Sequence, residues 1–351
     1  MLTTRESVSP PALALFCALA WAAPGIAQPY TLTDLGTLSG NSVSKASALN
    51  NAGEVAGVSE TPTAAIATMF SGGKATNISA PGSSVSLANA INRSGEIAGW
   101  MNGSAVNFDP QAFLYSNGSV KNINSPSLFP AGTEAYGINS SGEVVGTGYL
   151  SPSNFHAFLY TGGKMTDIGP PGSLQASADA INNSGQIVGS YYLTAGGGGA
   201  FLYSSGKITT LPVPADSTGV SALAINDNGE IAGALYPISG GAAHAARYAN
   251  GVWTDLGTIA GAASNVGMGI NLSGRVVGTA IFPQTQYHPP KPGKHVPFIS
   301  TTDGLINLNT LIPAGTGFTL TDAVAINDSG QILCDATNSN GNEHAVLLRP
   351  K

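Results

Sequence analysis

Seven times along the chain, a short apolar run, a polar turn ending in glycine and a second short apolar run follow in that order. The copies are SALNNAGEVAG (Ser47 to Gly57), NAINRSGEIAG (Asn89 to Gly99), YGINSSGEVVG (Tyr136 to Gly146) and DAINNSGQIVG (Asp179 to Gly189), then LAINDNGEIAG (Leu223 to Gly233), MGINLSGRVVG (Met268 to Gly278) and VAINDSGQILC (Val324 to Cys334). Their turn glycines, Gly53, Gly95, Gly142, Gly185, Gly229, Gly274 and Gly330, are 42, 47, 43, 44, 45 and 56 residues apart. A period of this size belongs to propellers and to helical arrays. The apolar runs are short, rich in Val, Ile, Tyr and Phe, and bounded by Gly, Asn and Ser, which predicts strands joined by tight turns.

A second hairpin follows each motif, as in QAFLYSNGSVKNI (Gln111 to Ile123), HAFLYTGGKMTDIG (His156 to Gly169), AFLYSSGKITTL (Ala200 to Leu211) and HAARYANGVWTDLG (His244 to Gly257). Weaker copies stand at ATMFSGGKATNI (Ala67 to Ile78) and VPFISTTDGLINL (Val296 to Leu308). One unit is therefore four antiparallel strands: A, ending in IN; B, reading GxIVG; C, reading HAFLY; and D, reading KxTDLG. The chain also carries an unpartnered D strand near its start, YTLTDLGTL (Tyr30 to Leu38), and an unpartnered C strand near its end, HAVLLR (His344 to Arg349). Joined, they complete a seventh unit, and a ring would use that complementarity to hide two sheet edges. The expected fold is an all-β, seven-bladed β-propeller of four-stranded antiparallel blades over residues 28–351, closed by the N-terminal strand pairing with the C-terminal blade. Strand A, whose IN is preceded by small residues such as Ala48, Ala90 and Ala180, is expected innermost, where crowding is greatest.

HAFLYTGGKMTDIG followed by SADAINNSGQIVG resembles the HAF repeat, named for its His-Ala-Phe, of bacterial exported proteins. The resemblance runs from about Tyr30 to Arg349, departing at IATMF in one early unit and at HVPFIS in a late one. It implies an extracellular repeat protein and brings no catalytic residues to transfer. The strand order is also similar to that of the tryptophan-aspartate repeat propellers, in which an N-terminal strand closes the last blade.

Residues 1–27 read as a secretory signal. Arg5 precedes the apolar run ALALFCALAWAA, and small residues at Gly25 and Ala27 predict cleavage before Gln28. No other stretch approaches the length of a membrane span. The expected product is an exported monomer, extracellular or periplasmic. Cys17 would leave with the signal, so Cys334 has no intramolecular partner. With a formal net charge of -6 and no basic stripe, the chain offers nothing to nucleic acid.

Candidate chemistry is sparse. HExxH, paired-cysteine and GxSxG signatures are absent. NDNGE (Asn226 to Glu230) lacks the further ligands of a calcium loop. His156, His244 and His344 recur in register at the start of strand C, which points to a structural role. The B-to-C and D-to-A connections are longer and more variable than the A-to-B and C-to-D turns, so the face bearing them is the expected binding face. Its candidates are Tyr287 and His288, in the proline-rich insertion 280–297, and Lys45, Asn89, Glu134, Tyr136, Asp179 and Asp322, which would rim or line a central channel. Leu223, Met268 and Val324 hold the same places in other units. The favoured function is a non-catalytic binding module for a glycan, peptide or protein. The alternative is an exported hydrolase or lyase working through Glu134, Asp179 and Asp322, with calcium as its one candidate cofactor.

Overall fold

The computed structural model describes residues 30–103, 109–283 and 293–351. The signal segment and the Tyr287–His288 loop tip lie outside them. The described residues form an all-β fold whose one helical element is a single 3-10 turn, Leu308–Thr310. Five sheets have four antiparallel strands each, and a sixth of eight consists of two such units joined by one parallel pair, Phe155 with Gln175. Within every unit the strands lie in the order A-B-C-D.

In the sheet of the last repeat, the D place is taken by Tyr30–Asp34. It runs antiparallel to Glu343–Pro350, from Tyr30 opposite Pro350 to Asp34 opposite Val346. The strand is shorter than the motif Tyr30 to Leu38 predicts, because Asp34 Oδ1 accepts the Gly36 N–H at 2.8 Å and turns the chain away. Three of the repeated histidines work in this outer hairpin. His156, His244 and His344 set Nδ1 against the D-strand carboxylates of Asp167, Asp255 and Asp34 at 2.7, 2.7 and 3.0 Å.

The polar turn between A and B has a physical purpose that reaches beyond the hairpin. The asparagine of each IN, or LN in the first copy, folds its own turn: Asn182 Oδ1 accepts the N–H of Ser184 and of Gln186 at 3.1 and 2.9 Å. Its Nδ2 donates to Gln186 Oε1 and, across to the next repeat, to the carbonyl of Asn226. The same step carries Asn50 to Asn92, Asn92 to Asn139, Asn139 to Asn182, Asn226 to Asn271 and Asn271 to Asn327. Asn327 then donates to the carbonyl of Asn50, at 3.1 Å and 277 residues away. All seven asparagines are buried. A carboxamide suits the place because it offers two donors and an acceptor with two lone pairs.

The last repeat meets the first inner hairpin at several further points. Asp328 N–H donates to Asn51 Oδ1, Ala46 N–H to Asp335 Oδ1, and Ala345 N–H to Ser44 Oγ.

The B-strand glycine and the C-strand phenylalanine are one packing unit. Gly99, Gly146, Gly189 and Gly278 lie opposite Phe113, Phe158, Phe201 and Phe298, rings that are almost completely buried. A Cβ on Gly189 would stand 1.9 Å from the carbonyl oxygen of Ser177 and 3.0 Å from the Phe201 ring. In the last sheet Cys334 replaces the glycine and the smaller Val346 replaces the phenylalanine opposite it. That exchange keeps the volume nearly constant, as close-packed cores demand.

Asn182→Ala removes a turn acceptor and the link to the next repeat while leaving buried backbone donors unpaired. It should lower unfolding free energy by about 2–4 kcal/mol in urea denaturation. A loss no larger than that of a surface substitution would show that the linkage carries little stability.

Candidate ligand-binding site

Every A strand carries a β-bulge at the same place. The register skips Ser47, Asn89, Tyr136, Asp179, Leu223, Met268 and Val324 in the seven copies. A bulge inserts one unpaired residue and re-aims its side chain. The candidates of the sequence therefore separate into two register classes. Asn89, Tyr136 and Asp179 are the bulge residues, whereas Lys45, Glu134 and Asp322 precede the bulge by two, so the expectation of one common channel position is corrected.

Two concavities lie at opposite ends of these inner strands. At the tight-turn end, a cavity of about 340 Å³ is lined by Asn50, Asn92, Asn182, Asn226 and Asn327 and by Arg93, Asp227 and Asp328, among others. Their carboxamides are committed to their own turns and to main-chain carbonyls of the neighbouring repeat. At the other end, a pocket of about 390 Å³ opens between the third and fourth repeats, lined among others by Tyr136, Tyr149, Phe155, Asp179 and Tyr192. It sits on the face predicted to bind.

The pocket joins three of the predicted residues. Tyr136 and Asp179 line it, and Glu134, 8% exposed, sits behind Tyr136 and accepts its hydroxyl proton. Burial first, and then the Glu134 charge, raise the Tyr136 phenol well above its ordinary value, and the same two causes raise Tyr149. Asp179 Oδ1 accepts the Ser177 hydroxyl at 2.6 Å, and Ser177 Oγ accepts that of Thr147 at 3.1 Å. Asp179 Oδ2 has no hydrogen-bonding partner among the described residues. Burial pushes the Asp179 carboxyl up to about 6, with the Ser177 hydrogen bond opposing. Phe155 and Tyr149 stack in a tilted pair, ring centroids 5.7 Å apart, and Tyr192 stands at the rim, 63% exposed.

The other predicted residues are placed elsewhere. Asn89 donates to the carbonyl of Ala135 in the next repeat at 2.8 Å. Lys45 lies 3.6 Å from Glu60 and 3.5 Å from Glu343, spanning the seam between the first and last repeats. Asp322 takes His295 Nδ1 at 2.9 Å and lies in register with Asp335, a residue the sequence reading passed over. Burial first, and the charges of Asp322 and Glu343, raise the Asp335 carboxyl to about 7, against the Ala46 N–H and Lys45. The three acids of the enzymatic alternative thus do not converge. Among the described residues, no group of three or more His, Cys, Asp or Glu side chains is arranged to hold a metal ion.

Sequence reasoning also missed Tyr149, Phe155 and Tyr192. A signal for two of them existed: the third residue after the B-strand glycine is tyrosine in three consecutive repeats, Tyr149, Tyr192 and Tyr236.

No protein-family model and no curated protein matches the chain. Solved structures do. A puromycin-hydrolyzing peptidase of Mycobacterium tuberculosis aligns at TM-score 0.57 and 10% identity over 87% of this chain and 50% of its own. The extracellular domain of a one-component system of B. thetaiotaomicron aligns at 0.53 and 11%, over 91% and 40%. A puromycin hydrolase aligns at 0.54 and 13%, over 88% and 54%. The chain thus spans roughly half the length of these proteins or less. At such identities the likeness is one of fold: an all-β architecture of four-stranded antiparallel sheets similar to β-propeller proteins. No helix among the described residues is long and apolar enough to cross a membrane.

Asp335 titrates from above its unfolded value, so its contribution to stability is full below about pH 4 and is lost as pH rises through about 7. Asp335→Asn keeps the acceptor for Ala46 N–H and should raise stability by about 1–3 kcal/mol at pH 8 and by almost nothing at pH 4. Melting temperatures of both proteins across that range check this; equal gains at both ends would contradict it.

Proposed function

We propose that this chain is an exported, non-catalytic recognition module, a seven-bladed β-propeller closed by pairing of Tyr30–Asp34 with Glu343–Pro350, which captures a glycan, peptide or protein on its variable-loop face. The observation that carries the recognition role is the pocket walled by Tyr136, Tyr149, Phe155 and Tyr192 with Asp179 among them. Concave sites with aromatic walls and a few placed polar groups are where proteins hold small groups of a ligand. Aromatic rings supply large contact area at little conformational cost, and an exposed tyrosine is a natural first contact.

The ring reading is supported by the asparagine succession that returns from Asn327 to Asn50 and by the terminal strand pair. Export is supported by the apolar run and small residues of positions 1–27 and by the HAF-like repeats. Comparable architecture in the extracellular domain from B. thetaiotaomicron agrees with that address.

Tyr192→Ala leaves the core untouched, since the side chain is largely exposed. On glycan and peptide arrays, the protein beginning at Gln28 should bind a defined set of spots. The variant should lose about tenfold or more in affinity for them, as truncation of an aromatic anchor does, with melting temperature unchanged. Binding that ignores the substitution would remove this pocket from the reading.

A further inference from the structure

The recognition reading leaves open what chemical group enters the pocket, and the direction of the hydrogen bonds around it narrows the choice. Asp179 Oδ1 is satisfied by Ser177, whose own oxygen is supplied by Thr147, so both hydroxyl protons are spent in a relay that ends on the carboxylate. Tyr136 spends its proton on Glu134, and Tyr149 belongs to the same network. Gln175 gives one amide hydrogen to the carbonyl of Ser153. What remains turned to the pocket is led by an acceptor, the free Oδ2 of Asp179, since both tyrosine hydroxyls are engaged with Glu134 and with each other.

The wall adds the faces of aromatic rings, which attract cations. The lining contains no lysine, arginine or histidine, and no cation contributes to the environment of Asp179. An anion would meet an uncompensated carboxylate, and a neutral acceptor would find few donors. An ammonium has donors only, three of them, and no acceptor.

We propose that the pocket selects an organic cation, an ammonium group on a short alkyl or aryl stem, held by Asp179 and enclosed by Tyr136, Tyr149, Phe155 and Tyr192. This rests on the recognition reading and gives it a ligand class. A basic side chain of a peptide and a free amine both carry the group.

Isothermal titration of the protein from Gln28 with benzylamine, benzyl alcohol and benzoate near neutral pH tests the inference on the unaltered protein. Acetyl-Gly-Lys-Gly-amide is run beside them to separate the two sources. Benzylammonium should bind at least about tenfold more tightly than benzyl alcohol, with benzoate weaker still, because only the cation forms a charged hydrogen bond. Tighter binding of the peptide than of benzylamine assigns the group to a basic side chain, and the reverse order assigns it to a free amine. Asp179→Asn, which removes a buried charge and should keep or raise the melting temperature, should weaken the cation by about tenfold or more. Equal affinity for benzyl alcohol and benzylammonium, or no effect of Asp179→Asn, overturns the cation. The pocket itself then stands if Tyr192→Ala still abolishes the binding seen. Failure of every probe, together with array binding that ignores Tyr192→Ala, overturns both readings.

Discussion

The succession of buried asparagines is the interaction on which the rest depends. Each carboxamide closes its own turn through Oδ1 and reaches the next repeat through Nδ2, so local and long-range structure are set by one side chain. Aspartate would supply no donor for the neighbouring carbonyl, and serine could not serve both roles at once. The cost of an unpaired buried carboxamide is high, which makes the arrangement close to all-or-none along the succession. The residue four positions after each asparagine shows how the scheme tolerates variation. It is Glu or Gln in six copies and takes the second carboxamide hydrogen. In the remaining copy it is Arg275, and the Asn271 Nδ2 keeps only the link to Asn327 while its Oδ1 still accepts the Arg275 N–H.

Beside each A-strand bulge a main-chain carbonyl comes against the B strand, and in the four copies with phenylalanine across the pair only glycine leaves room for both, whereas the last copy pairs Cys334 with the smaller Val346. The repeated letters are thus tied to packing, while the bulge residue and the residue two before it are free to differ. Function concentrates in that freedom. In the third and fourth repeats the two classes supply Tyr136, Asp179 and Glu134, and the ends of the B strands add Tyr149 and Tyr192. In the first and last repeats the place two before the bulge carries Lys45 and Asp322; Lys45, with Asp335 on the last B strand, holds the seam between distant parts of the chain, and Asp322 takes His295 of the preceding repeat.

Much of the architecture is legible in the sequence because a packed repeat writes the same constraint several times. The inner and outer hairpins stand where the motifs put them, and the small residues before IN do line the inner strand. The candidate site was legible only in part. Glu134, Tyr136 and Asp179 are legible because the positions just before IN change in polarity from copy to copy. Their grouping is not, because a bulge shifts side-chain direction without leaving a residue-type signature. Phe155 escaped because it becomes a pocket wall only where the third and fourth units meet at Gln175. The histidines recur visibly in the sequence, but their D-strand aspartate partners emerge only from the register.

The central claim is that the asparagine-linked hairpins behave as one closed cooperative unit. Hydrogen exchange followed by mass spectrometry on peptides covering each A-to-B turn tests it most directly. Closure predicts that the buried turn amides of all copies exchange together, in a single global opening that includes the Tyr30–Asp34 and Glu343–Pro350 pair. Graded exchange that begins at that terminal pair and proceeds repeat by repeat, as in an open array, would contradict it.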